Sequence, residues 1–560
     1  MRKRKLLSLL MVVTLTATCL IGCGKKGDGS VGIDTPKLDS MDKTPITFTF
    51  FTADATEDMP FTDPVAKKIT ELTGVTLEIS HPVAGDTQAI PLMIASGDYP
   101  DLIYAKGDTS KLIDAGAIIK LDDYIEEKGD NLKALYGDQL DRLRASEDDP
   151  SIYTVGTYGV TTAVYEPNGT LQLQHQILKE LGYPELKTIK DFEEALTKYI
   201  SENPTTDNGE ERIGLSLMAS DWRWLITCGD IASQAAGIPG DGQFKVNDET
   251  GETTYKFTLP EVKEYLQWLN HMNNIGLLDP ESFTQTEDTY RAKIASGRVA
   301  ALSDAKWDYQ DAEKSLIAEG KAESTYAGLP IVISEDKKDQ SMKDYGFSGG
   351  WGVAISESCK DKDRAFEFLD WLASDEAQIL LNWGIEGEHY EINEAGKRQF
   401  FSEVQEQKNT DPDFGKKTGI GIYVYPFPQR GDGAVDANGD SYTPNTIDSV
   451  IANYNEAQKE TLEAYGVKSF PELFPTTEEL GISKHGQVWQ YTIASDSDLA
   501  IIQKKCDDYI QQAVTQAILG KPEEFDAAWD EIQNTLVKYG VEDLNKGMTE
   551  LTKARLEFWN

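Results

Sequence analysis

The chain has 560 residues, and its 95 acidic and 54 basic side chains give a formal net charge of −41. That length exceeds one ordinary hydrophobic core and implies two or more domains, while the acidity excludes recognition of nucleic acid or an anionic membrane surface through the protein's own charge. Acids are interspersed among 39% hydrophobic residues, so the charge belongs to a solvated globular surface rather than a disordered tail.

Residues 1–22 read as an export signal. Arg2, Lys3, Arg4 and Lys5 precede the uncharged apolar run Leu6 to Leu20, which falls short of the roughly 20 residues of a permanent membrane helix. The run ends in Leu20-Ile21-Gly22-Cys23, which resembles the bacterial lipobox. That resemblance implies cleavage before Cys23 and acylation of its sulfur, and hence an exported protein held by lipid on the outer face of the cell membrane. Residues 23–44, rich in Gly, Asp, Ser, Pro and Lys without periodicity, read as a flexible tether.

Folding is expected from about Pro45. Residues 46–51 read as a buried strand, 62–73 as a helix, 75–80 as a strand, 86–96 as a helix and 101–104 as a third strand. This βαβαβ order implies a parallel sheet with ligand sites beyond the carboxyl ends of its strands. After the stretch from Gly156 to Gly169 the pattern restarts, with helices near 171–181 and 189–202, a strand at 213–217, and helices near 221–236 and 260–275. Beyond these come an apolar run at 299–302, a helix from about Trp307, a strand at 351–355 and a helical region from Lys360 to Trp383. The C-terminal stretch reads as three amphipathic helices, the second opening at Pro522. Cys228, Cys359 and Cys506 are an odd number without metal spacing, so no disulfide framework is expected; Cys506 falls on the apolar face of the first of the three helices.

Several segments resemble one family. They are Ala95-Ser-Gly-Asp-Tyr-Pro-Asp-Leu-Ile103, Gly297-Arg-Val-Ala-Ala-Leu-Ser-Asp304 with Trp307 just after, Ser348-Gly-Gly-Trp-Gly-Val-Ala-Ile355, Ala365-Phe-Glu-Phe-Leu-Asp-Trp371, and Asn382-Trp-Gly-Ile-Glu-Gly-Glu-His-Tyr390. They are similar to the extracellular solute-binding proteins of carbohydrate ABC transporters, in particular the large lipoprotein subgroup described as aldouronate or oligosaccharide binders. The resemblance implies an α/β, two-lobed periplasmic-binding-protein-like fold that closes at a hinge on an oligosaccharide, including one bearing a uronate, and delivers it to permease subunits and their ATPase. Mapped by that similarity, lobe one holds 45–160 and 303–345, and lobe two holds 161–302 and 346–560. Peptide capture by the same architecture and a secreted glycan hydrolase are the competing readings.

Sugars present apolar C–H faces and a rim of hydroxyls, so their sites combine aromatic platforms with carboxylates and amides. Trp307 and Trp351 lie where the family's crossings line the cleft, as stacking platforms or as hinge packing. Asp108 and Asp304 follow strands at helix starts, as ligand contacts or as plain caps. Trp222 and Trp224 flank Arg223, so one can face the cleft and the other the core. Trp383, His389 and Tyr390 lie in the subgroup-specific stretch, and Tyr423-Val-Tyr425-Pro-Phe427 with Arg430 follows; an arginine would suit a uronate carboxylate.

No cofactor is required, but related binders imply a structural calcium loop where Asn203, Thr205, Asp207, Gly209 and Glu211 stand here. Asp436-Ala-Asn438-Gly-Asp440 also begins like a calcium loop, yet lacks the later glycine and glutamate. Gly346-Phe347-Ser348-Gly349-Gly350 matches G-x-S-x-G but precedes a strand instead of a helix, which is the wrong context for a nucleophile, so the chain is not expected to be an enzyme.

Overall fold

The computed structural model describes residues 42–559 apart from 55–58 and 84–87. Cys23, the export signal and nearly all of the tether lie outside the described residues. The strands, in chain order, are β1 (Ile46–Thr52), β2 (Val75–Ser80), β3 (Leu102–Tyr104), β4 (Thr170–Gln174), β5 (Ile213–Ser216), β6 (Phe244–Val246), β7 (Thr253–Tyr255), β8 (Val299–Asp304), β9 (Tyr326–Leu329), β10 (Val353–Ile355), β11 (Tyr390–Ile392) and β12 (Arg398–Phe400).

Phe48, Phe50 and Phe51 make β1 the buried centre of a first sheet. It runs parallel to β2 and β3, with Phe50 opposite Leu102, and β10 closes the far edge antiparallel to β3. The crossover helix Pro64–Thr73 starts on an Asp63 cap with proline at its first turn and stops at left-handed Gly74. A side chain at Gly74 would place its Cβ 2.5 Å from the Lys43 carbonyl oxygen, so only glycine lets the chain pass there.

The second sheet has the order β5-β8-β4-β9. Its β4, Thr-Leu-Gln-Leu-Gln, is buried on both faces. The glutamines are satisfied there: Gln172 donates to the Asp304 carbonyl at 2.8 Å and Gln174 to that of Gly297 at 3.1 Å. The helix expected over 171–181 is therefore a strand followed by a short helix, His175–Glu180. Its period-two alternation of Leu and Gln is the strand signal.

Sheet membership differs from the lobe boundaries expected for the later segments. β9 lies within 303–345 but pairs with β4 in the second sheet, and β10 lies within 346–560 but pairs with β3 in the first. The chain after β10 stays with the first sheet for some distance. Asp370, in helix Lys362–Leu372, accepts hydrogen bonds from Leu132 N at 2.9 Å and Asn131 Nδ2 at 2.8 Å, and Tyr423 donates to Asp63.

The three C-terminal helices, Asp498–Leu519, Phe525–Tyr539 and Val541–Trp559, return to the second sheet. Asn270 donates to the carbonyls of Ala517, Ile518 and Gly520, and Tyr255 to Asp507 at 2.8 Å. Cys506 is fully buried in this layer, and Cys228 and Cys359 are likewise buried free thiols. The last helix also reaches back: Arg555 donates to the backbone carbonyls of Arg144, at 2.8 Å, and of Ala145, both on the first-sheet side.

Candidate functional site

In open α/β sheets the segments leaving the carboxyl ends of parallel strands are free to meet a ligand. Here four such segments, from both sheets, converge. β1 leads to Asp54, β3 to Lys106, β5 to Trp222 and β8 to Trp307. Lys106, held in a left-handed conformation with φ 52°, pairs with Asp54, and its ammonium lies 5.3 Å from the centre of the Trp222 ring. Strained non-glycine backbone of this kind persists where the surroundings hold it in place, often at ligand sites. Trp222 and Trp307 lie parallel within 8°, centres 6.0 Å apart, and each is about half exposed, at 52% and 48%.

A second group of rings adjoins the first. Tyr104 and Tyr425 meet edge to face with their hydroxyl oxygens 2.5 Å apart, Tyr158 lies 5.9 Å from Tyr425 and 6.4 Å from Trp489, and Trp489 packs at 4.6 Å on Trp351. Trp351 in turn passes close to Gly107, beside Lys106. Trp489 rests on Gly242, where φ is +54° and an added Cβ would lie 2.9 Å from the indole. Burial raises the Tyr104 and Tyr425 phenols above their ordinary range, so both keep their protons.

Two charged groups stand on the second-sheet side. Asp230 ends a π-helical turn, Leu225–Asp230, and receives a 2.5 Å hydrogen bond from the fully buried Lys256 ammonium. Burial raises the Asp230 pKa and lowers that of Lys256, each opposed by the charge of the other. Arg223 forms a three-way fork to Asp221, Glu287 and Asp308, and its guanidinium lies over the Trp222 ring, 5.2 Å from its centre.

The residues singled out in the sequence divide accordingly. Trp222, Trp307 and Trp351 join the aromatic band. Trp224 does not: it is buried and stacks at 5.2 Å on Phe257 in the core of the second sheet. Asp304 is fully buried, accepting from Tyr290 Oη at 2.7 Å, and burial beside Asp308 raises its pKa well above the carboxylate range; it anchors the end of β8. Asp108 makes no capping hydrogen bond and pairs with Lys111 at 2.7 Å.

Trp383, His389 and Tyr390 are buried together around the β11–β12 hairpin. Trp383 packs at 4.9 Å on Phe400 and 6.1 Å from Tyr390, and His389 Nδ1 accepts from Ile385 N at 2.9 Å. Arg430 is occupied by Asp375 at 2.8 Å and lies over Tyr442. Asp54, Lys106, Tyr158 and Trp489 also belong to the band, though no motif in the sequence marks them. The available signal was a large aromatic in glycine-flanked, non-periodic chain: Tyr158 between Gly156 and Gly159, Trp489 after Gly486.

The loop proposed for calcium is a tight hairpin. Thr205 pairs with Glu211, Gly209 N donates to Thr206 O, and Asn203 turns its amide towards Tyr199 O. Only Asp207, Glu210 and Glu211 supply carboxylates, and among the described residues no three acidic, histidine or cysteine side chains come together as metal ligands. In the second loop Arg398 holds both Asp436, at 2.7 Å, and Asp440, at 3.2 Å, so a guanidinium sits among the acids. Neither loop fits six to eight oxygens around a calcium ion. Ser348, in the G-x-S-x-G match, is buried, donates to Gln490 and leads into β10, so it is no nucleophile.

Comparison with known proteins agrees with this architecture. The profile of the bacterial extracellular solute-binding protein family matches residues 65–382, more than half of the chain. The fructooligosaccharide ABC transporter substrate-binding protein FusA of Streptococcus pneumoniae is 20% identical over 95% of both chains. Lipoprotein LipO of Bacillus subtilis is 20% identical over 59% of this chain and 64% of its own length. Among solved structures, the alginate-binding protein AlgQ2 without calcium ion superposes with a TM-score of 0.66 at 16% identity, covering 91% of this chain and 99% of that one. An EF-hand mutant of S. pneumoniae FusA in complex with fructo-nystose gives 0.65 at 18%, with the same coverage. These matches share the two-lobed fold, whose strand ends here converge on one aromatic wall, and the chain belongs to the bacterial extracellular solute-binding proteins.

Proposed function

We propose that this protein is the saccharide receptor of an ABC importer, closing its two lobes on an oligosaccharide and presenting it to permease subunits and their ATPase. The observation that carries the reading is the half-exposed Trp222–Trp307 pair. Large aromatics left open at converging strand ends offer flat faces to the C–H faces of sugar rings. Asp54 and Lys106 stand beside Trp222 to hydrogen-bond hydroxyls. The names of FusA and AlgQ2, which refer to fructooligosaccharide and alginate, support the ligand class.

Acylation of Cys23 belongs to the same proposal, with the lipid keeping the receptor beside its transporter. The lipoprotein name of the LipO relative supports it. Titration calorimetry of the purified protein against saccharides, amino acids and peptides tests the ligand class: binding of at least one oligosaccharide is expected, and binding of peptides with no saccharide would defeat it.

A further inference from the structure

Among the described residues two cations lie over rings of the aromatic band, Lys106 and Arg223, both against Trp222. Both are committed to acids. Lys106 pairs with Asp54, and Arg223 is shared among Asp221, Glu287 and Asp308. Lys306, immediately before Trp307, is paired with Glu166 at 2.7 Å, and Arg430 is held by Asp375.

We infer that, if the site takes saccharides as proposed above, it selects neutral ones and discriminates against uronates. Among the described residues, a sugar carboxylate brought onto the Trp222 platform finds no uncommitted cation over that platform to receive it. It must either break the Asp54–Lys106 pair or enter the site facing Asp54, and a charge taken out of water without a partner is strongly disfavoured. The field of a chain with net charge −41 acts in the same direction. A neutral sugar meets the opposite situation. Its hydroxyls both donate and accept, and Asp54 Oδ2 is buried with no hydrogen-bond partner among the described residues. A hydroxyl donating to Oδ2 while another accepts from the Lys106 ammonium satisfies the pair without separating it.

The test is calorimetry of the full-length protein with matched oligosaccharides differing only at C6, such as manno-oligosaccharides against oligomannuronates and galacto-oligosaccharides against oligogalacturonates, repeated with Asp54→Asn. The expected result is that any neutral series that binds does so at least tenfold more tightly than its uronate counterpart, and that Asp54→Asn, which releases Lys106, narrows the ratio. Equal or tighter binding of a uronate series overturns the charge selection while the saccharide reading stands. A ratio unchanged in Asp54→Asn overturns the role of the Asp54–Lys106 pair. Binding of peptides with no saccharide, neutral or uronate, removes the saccharide reading and this inference with it.

Discussion

Trp222 follows a strand of the second sheet and Trp307 follows that strand's parallel neighbour, and their indoles lie 6.0 Å apart with planes within 8° of each other. Two rings so placed at adjacent strand ends act as one platform, because moving either changes the surface that the other presents.

Replacing either tryptophan with alanine is therefore expected to weaken saccharide binding by about 1–3 kcal/mol, as for a buried aromatic anchor. In the double variant the losses should fall short of additive by about 0.5–1.5 kcal/mol, reflecting the ring–ring contact. Calorimetry on the four proteins of the cycle measures both quantities, and an unchanged affinity in Trp307→Ala would take that residue out of the site.

Gly242→Ala should disturb the opposite end of the band. The new Cβ would meet the Trp489 indole at 2.9 Å in a left-handed backbone that alanine resists. A loss of about 1–3 kcal/mol in stability by denaturant unfolding is expected, together with weaker ligand binding as Trp489 is pushed from Trp351.

Acid should act on His175. It is buried at the start of the helix that follows β4, with Nδ1 2.8 Å from Thr461 Oγ1 and its ring against Phe470. Thr461 donates to Ala457 O, so its oxygen is left to accept from Nδ1–H, and Nε2 has no hydrogen-bond partner. Burial, reinforced by repulsion from Lys306, lowers the His175 pKa to about 3. Because that value lies below the unfolded one near 6.5, the unfolded chain binds the extra proton first, and stability is present above pH 6.5 and lost as pH falls towards 3. The stability advantage over His175→Gln should thus shrink by about 2 kcal/mol between pH 7 and pH 5. Urea titrations of both proteins at the two pH values check this, and a difference independent of pH would contradict it.

Cys23→Ser should abolish acylation and shift the protein from the membrane fraction to the medium or periplasm, while saccharide affinity stays unchanged. Fractionation of the expressing cells and calorimetry of the released protein read the two effects separately.

Local chemistry made much of the fold legible in the sequence. The Phe-rich β1, the Asp63–Pro64 start and Gly74 stop of the first helix, and the three C-terminal helices with Cys506 on an inward face all carry their own signals. What escaped was non-local. β9 and β10 are four and three residues long, and nothing within them says which sheet they join. The site shows the same division. Trp222 and Trp224 are equivalent as local sequence, and only the Phe257 face behind one and the open strand ends before the other separate them. Trp383, His389 and Tyr390, which look alike in the sequence to exposed ligand contacts, are buried together around a small hairpin. Trp489 enters the band through contacts with Gly242 and Trp351, both remote along the chain.

The grip of Arg555 on the carbonyls of Arg144 and Ala145 has a mechanical consequence. Its helix is fastened to the small β6–β7 hairpin by Thr552, whose hydroxyl lies 3.0 Å from that of Thr253 in β7, yet one turn further on it holds the backbone of Arg144 and Ala145. Parting the terminal helix from the segment around Arg144 therefore requires breaking two guanidinium hydrogen bonds or peeling the last turn from its bed, which ties the end of the chain to its first sheet.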